Sequence, residues 1–182
     1  MATSERSTRL QTAYKVLETY STLSPEKMLE PLAPEYTHQI LPESLNMPAR
    51  SKEEFAKHAT GITSIFESFA MEPVSVFEDP EQNAVIAQCR MVGELTRDLG
   101  PWRNTCVIFM KFNEDGTQIT EWKEFVDSAR AALLRQKLMG NMDKNMDVKE
   151  GKKGSLLDFT SLAVLGGVAA AAATATFAVI RR

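Results

Sequence analysis

The chain of 182 residues has only two histidines and two cysteines. Cys89 and Cys106 form no C-x-x-C pair and no metal-type spacing, so neither a zinc site nor a disulfide framework is expected. Both read as buried thiols of a reducing compartment. There is no glycine-rich phosphate loop, no Ser/His/Asp order and no His/Cys cluster, so no cofactor and no metal are expected. The 21 lysines and arginines are scattered among 24 acidic residues, for a formal charge of −3. Without a basic stripe, nucleic acid is not an expected partner. The opening "MATSERSTRL" has no apolar run, which argues against a secretory signal. No internal repeat is visible.

What is present is a composition of 43% hydrophobic and 25% charged residues, which suits a globular core and argues against disorder. The length fits one domain with an appendage. "FTSLAVLGGVAAAAATATFAVI", residues 159–180, carries no charge and is long enough to cross a hydrocarbon core of roughly 30 Å. Lys152 and Lys153 precede it, and Arg181 and Arg182 follow. The expected organisation is a domain over residues 1–140, a polar linker over 141–155 and a membrane anchor over 156–182, with the domain facing the cytosol. The competing reading of the tail is a buried or frayed alanine-rich helix.

Helical spacing of Leu10, Ala13, Leu17 and Tyr20 predicts a first helix. Ser24-Pro25 is a start signal for a short second helix, "SPEKMLEPLA". "YTHQILPESL" then reads as a short strand closed by Pro42. Ser51 with Glu54 is a capping box for a third helix, "SKEEFAKHATGITSIFESF", with Phe55, Ala59, Ile62 and Phe66 as its apolar stripe. From Met71 the period becomes two. "MEPVSVFE", "AVIAQCRMVGELTRD", "TCVIFMKF" and "TQITEWKEFV" read as strands separated by the turns "DPEQN", "LGPWRN" and "NEDG". "DSARAALLRQKLMG" closes the domain as a helix, capped by Asp127 and ended by Gly140. Helices grouped apart from an antiparallel meander make an α+β domain, whose curved sheet encloses a pocket.

This order resembles the NTF2-like cone fold, in the branch holding SnoaL-like cyclases, limonene-type epoxide hydrolases and ketosteroid isomerases. "YTHQILPESL", "SKEEF", "NEDGTQI" and "EFVDSA" resemble a fungal SnoaL-like set over roughly residues 8–138. Its characterised members are isomerases that rebuild rings in meroterpenoid biosynthesis, as in the terretonin and austinol pathways. The resemblance implies a curved, mostly antiparallel sheet wrapped on three N-terminal helices. It also implies a homodimer paired through the outer sheet face, where Gln88, Arg90 and Glu94 would lie beside Ile86 and Val92. The epoxide hydrolases place Trp-Arg-Asp-Tyr-Phe-Asp on the last strand, with the first aspartate in the pocket. Here that run is "WKEFVD", and Glu124 takes the position. Their pocket tyrosine corresponds to His38, and their Arg-x-Asp falls on Cys89 and Met91, so that hydrolytic machinery is broken.

Strand alternation puts Tyr36, His38 and Ile40 on one face, and Trp122, Glu124 and Val126 on one face. His38 and Glu124 are thus the candidate catalytic pair, able to divide acid and base roles in an apolar enclosure. Each has a structural alternative: a core histidine bonded to backbone, and a surface glutamate. Candidate substrate contacts are Tyr36, Ile40, His58, Met91, Trp102, Asn104 and Trp122. His58 lies one turn after Glu54, a spacing that also allows a surface pair. Trp102 and Asn104 follow a turn at the expected cavity rim, and Phe109 and Phe125 read as hydrophobic sheet residues of the core. The expected function is a cofactor-independent isomerase or cyclase acting on a lipophilic polycyclic intermediate of fungal secondary metabolism. The alternatives are a tethered, non-catalytic binding cup or a dehydratase.

Overall fold

The structure, a computed structural model, describes residues 6–146, with side chains described through 139. The expected linker beyond 146 and the expected membrane anchor lie outside the described residues. Among the described residues, no helix is long and apolar enough to cross a membrane.

Among the described residues, four α-helices and six strands follow in the order α1 (Thr8–Thr19), α2 (Pro25–Leu29), β1 (Leu32–Leu41), β2 (Arg50–Ser51), α3 (Lys52–Ile65), β3 (Phe66–Asp79), β4 (Ala84–Leu95), β5 (Gly100–Phe112), β6 (Ile119–Val126) and α4 (Ser128–Met146). The sheet order is β2-β1-β6-β5-β4-β3. β3 to β6 form the anticipated antiparallel meander, but β1 joins β6 in parallel, which makes the sheet mixed.

Local sequence explains most boundaries. The Ser24 hydroxyl accepts from the Lys27 amide ahead of Pro25. Ser51 and Glu54 form the reciprocal capping box. Asp127 Oδ1 accepts from the amides of Ala129 and Arg130 at the start of α4. Each device satisfies amides that the first helical turn leaves orphaned.

Four boundaries differ from the sequence reading. α2 stops at Leu29 and β1 begins at Leu32, so Pro34 sits within a strand rather than closing a helix. "LGPWRN" does not remain a turn, since β5 already starts at Gly100. α4 continues through Gly140 to Met146; a lone glycine costs a helix about 1 kcal/mol but need not stop it. The fourth is the end of α3. Phe66 to Phe69 extend the helical stripe in sequence but belong to β3. The ladder shifts register between Phe66 and Ser68, so two residues three apart, Phe66 and Phe69, are both buried against Trp102. Gly93 makes room for this irregularity: a Cβ there would lie 2.5 Å from the Ser68 carbonyl oxygen.

The core lies between the concave sheet face and the helices. Ala13, Val16 and Leu17 of α1, Phe55 and Ala59 of α3, and Val85, Ala87, Cys89, Cys106, Ile108 and Met110 of the sheet are all buried. Tyr20, in the turn after α1, stacks on Trp122 at 6.1 Å and meets Phe69 at 6.1 Å, joining the helical layer to β6 and β3. Cys89 and Cys106 are free, buried and opposite one another across β4 and β5. The outer face carries Gln88, Arg90 and Glu94 as expected. It also exposes Phe77 at 65%, Phe109 at 42% and Phe125 at 50%, which corrects the reading of Phe109 and Phe125 as core.

Candidate active site

A cavity of about 80 Å³ lies between the concave sheet face, α3 and the first turns of α4. β1 contributes His38 and Ile40; β6 contributes Glu124 and Val126; α3 contributes Phe55, His58 and Ile62. Met91, Trp102 and Asn104 close one side, and Ala131 and Leu134 of α4 close the other. Seven of the nine residues singled out in the sequence therefore line one space: His38, Ile40, His58, Met91, Trp102, Asn104 and Glu124. Tyr36 and Trp122 share the correct strand faces but are buried away from the lining, so they are not cavity contacts. His58 is no surface partner of Glu54. It is 4% exposed and its ring lies 5.6 Å from that of His38. Asn104 is committed structurally, accepting from the Thr105 amide and donating to the Asp127 carbonyl.

Glu124 is 6% exposed. Its cross-strand neighbours are Ile40 on β1 and Ile108 on β5, and its neighbours in phase on β6 are Trp122 and Val126. Trp122 Nε1 donates to Glu124 Oε2 at 3.2 Å. Burial disfavours the carboxylate more than that hydrogen bond and the Arg50 guanidinium favour it, and the pKa is pushed up to about 7. The carboxyl group can therefore exchange a proton near neutral pH.

Both histidines move the other way. Burial, then His58 and Arg50, holds His38 well below the ordinary imidazole range. Burial and Arg50 bring His58 down to about 3. Both rings are neutral at physiological pH. His38 is clamped by Phe55 at 4.8 Å and by His58, while Arg50 Nη1 lies 3.3 Å from His38 Nδ1. Burial also raises the pKa of Tyr20, which lines the cavity, and of Tyr36 behind it. Among the described residues, two buried polar side-chain atoms lack a protein partner, Tyr36 Oη and Trp102 Nε1. The second belongs to a cavity-lining residue.

Sequence reasoning missed Tyr20 and Arg50. Tyr20 was legible only as part of the α1 stripe. Arg50 sits on a strand two residues long, too short to show a period, and its one signal was its place just before the Ser51 cap.

No family model matches the chain. It is 27% identical over 122 residues to "Monooxygenase dmxR10" of a Cryptosporiopsis species, covering 67% of this chain and 81% of that one. It is 28% identical over 127 residues to "Austinoid biosynthesis clusters protein H" of Penicillium brasilianum, covering 66% and 83%. These similarities support the resemblance to the fungal SnoaL-like proteins of the NTF2-like fold. The BvnE pinacolase from Penicillium brevicompactum superposes with a TM-score of 0.70 at 18% identity, over 74% of this chain and 96% of that one. That likeness shows the cone fold with its curved mixed sheet.

The buried ionisable groups set an expected pH dependence. Glu124 binds its proton more tightly folded than unfolded, so this contribution to stability is complete below about pH 4.5 and is lost as pH rises through 7. Glu124→Gln should remove the loss. Relative to the parent, the variant should gain roughly 3 kcal/mol between pH 4.5 and pH 8 in urea unfolding. A parent–variant difference that stays constant with pH would show that Glu124 titrates normally. The histidines act oppositely: their stabilisation is complete above about pH 6.5 and falls as pH drops towards 3 in parent and variant alike.

Proposed function

We propose that the protein is an isomerase or cyclase of fungal secondary metabolism that moves a proton within a lipophilic substrate, using Glu124 as the proton carrier and His38 as its polar partner. One observation carries the reading: a carboxyl group that titrates near pH 7 faces an apolar cavity shared with a neutral histidine. Such a carboxylate takes a proton from a C–H or O–H group of the substrate. The resulting acid returns it at a second atom, so the substrate rearranges with no atom gained or lost. His38 and the unpaired Trp102 Nε1–H offer polar contacts to a substrate oxygen, while Ile40, Phe55, Ile62 and Met91 supply the apolar wall. Relatives named for the austinoid pathway support a polycyclic terpenoid or polyketide as the substrate class.

The cavity of about 80 Å³ is smaller than the roughly 300–1,000 Å³ usual for ligand pockets. A polycyclic substrate therefore displaces part of the wall, and the Ala131 and Leu134 side of α4 is the part formed by a single helix end.

A second reading rests on the relatives named as monooxygenases. It shares the first step: the carbanion left by proton removal adds dioxygen, and the hydroperoxide so formed loses water to leave a carbonyl, which keeps one oxygen atom and releases the other as water. Mass spectrometry separates the outcomes. The full chain is incubated in D2O with a panel of polycyclic terpenoid and polyketide ketones. Isomerisation gives a product of unchanged formula, apart from deuterium taken up from solvent; oxygenation replaces two hydrogens with one oxygen; dehydration removes water. Glu124→Gln should cut isomerisation on the order of 10² to 10⁴-fold, the usual worth of a positioned acid–base group, with the fold retained. Full activity in the folded variant would remove Glu124 from the mechanism.

We also propose that two copies pair through the outer sheet face. Phe77, Ile86 and Phe109 lie in register across β3, β4 and β5, and Phe125 continues the apolar surface on β6. A self-complementary patch of this kind suits a two-fold contact. Sedimentation should give a dimer at micromolar concentration, and Phe77→Lys with Phe109→Lys should shift it to monomer. A parent that sediments only as monomer would contradict the pairing.

A further inference from the structure

Among the described residues, Arg50 is the one cation beside the cavity, and its position is determined from both sides. Its backbone pairs with His38 across β1 and β2, and Thr37 pairs with Ser51 in the next step. Ser51 is also the N-cap of α3, so the two-residue strand passes directly into a capped helix. That helix carries Phe55 and His58 against the His38 ring. Arg50 is 5% exposed and its Nη1 meets His38 Nδ1 at 3.3 Å.

The chemistry of this contact is asymmetric. A guanidinium has five N–H donors and no acceptor, and it stays charged in proteins. An imidazolium has two donors and no acceptor, and the Nδ1–H tautomer also presents a donor at that nitrogen. Only one form of His38 can accept at Nδ1: the neutral ring with its proton on Nε2. The remaining polar group of a ring that lines the cavity is then an N–H donor.

We propose that Arg50 is the positioning residue of this site: by donating to Nδ1 it holds His38 as the neutral Nε2–H tautomer, so that His38 offers a hydrogen bond to a carbonyl or hydroxyl oxygen of a ligand and does not act as the base. The last step rests on the acid–base reading above; the tautomer does not. Roles then divide. Glu124 takes and returns the proton, and His38 stabilises the charge that develops on the substrate oxygen when the proton leaves. The implied substrate has an oxygen next to the carbon or hydroxyl that loses its proton, as in an enolisable ketone or a β-hydroxyketone.

Arg50 also acts on Glu124. Among the described residues, the groups that act on Glu124 are Arg50 from β2, Tyr20 from the turn after α1, Tyr36 from β1, Trp122 from β6 and Cys106 from β5, and the neutral His38 and His58 share the cavity with it. Arg50 is the only one carrying positive charge. Removing it should let Glu124 keep its proton to higher pH and let His38 accept one at higher pH.

The test is nitrogen-15 spectroscopy of the full chain labelled at histidine. The chain has two histidines, so two rings are observed, and the loss of one set in His38→Gln assigns them. At pH 7 the His38 ring should be protonated at Nε2 and accepting at Nδ1, and it should stay neutral well below the pH at which an ordinary imidazole protonates. A His38 ring protonated at Nδ1, or an imidazolium at pH 7, would overturn the proposal with Arg50 left in place. Arg50→Lys, which can still donate, should keep the tautomer. Arg50→Met should give a mixture of tautomers, protonation of His38 at a higher pH than in the parent and an upward shift of the Glu124 midpoint. An unchanged ring in Arg50→Met would show that something other than Arg50 holds it. A correct tautomer in a protein that turns over none of the ketone panel would leave Arg50's role standing and sink the acid–base reading instead.

Discussion

The site depends on the desolvation of one carboxyl group. Glu124 occupies the middle of a row that runs from Ile40 across β6 to Ile108 and Ala87, with Trp122 and Val126 above and below it in phase. Water cannot solvate a carboxylate there as it would at a surface. One Trp122 N–H and the field of Arg50 are not enough to replace it. Every other polar feature is arranged around that fact. Two neutral histidines crowd the same space without supplying a counter-charge, and the Arg50 guanidinium contacts one of them.

The fold maintains this arrangement by its odd connectivity. The meander alone would leave β6 at an edge. The parallel addition of β1 encloses β6 between two strands and brings His38 level with Trp122 and Ile40 level with Glu124. β2 then pairs with β1 and sets Arg50 beside His38, and the capping box of α3 fixes where β2 ends. Short local signals at Ser51 and Glu54 therefore determine the distance between an arginine and a histidine in the core. On the opposite side, Gly93 and the bulge at Phe66 to Ser68 let Phe66 and Phe69 pack on Trp102, which shapes the wall facing Glu124.

How much of this could be read from the sequence follows from what each pattern encodes. The alternation in "YTHQI" and "WKEFV" reports which face a side chain takes, and it brought His38 and Glu124 to one side correctly. It does not report depth, so Tyr36 and Trp122 were assigned to the cavity although they lie buried behind its lining. A bulge counterfeits helical spacing, which is why Phe66 to Phe69 read as the end of α3. A nearly continuous apolar run such as "TCVIFMKF" has no alternation to read, and so it hid the exposure of Phe109. A strand of two residues has no period at all, and Arg50 went unseen. The burial of His58 required the tertiary packing of α3 on β1, because its spacing from Glu54 fits a surface pair equally well.

Protonation of Glu124 is the claim on which catalysis, pH dependence and the division of roles with His38 all rest. Infrared difference spectroscopy tests it directly: the protonated carboxyl stretch of the full chain is followed between pH 4 and pH 9, with Glu124→Gln as the blank. The account predicts a band lost with a midpoint near pH 7 and absent from the variant. A Glu124 band already gone by pH 5.5 would show that the cavity solvates the carboxylate, and it would contradict the account.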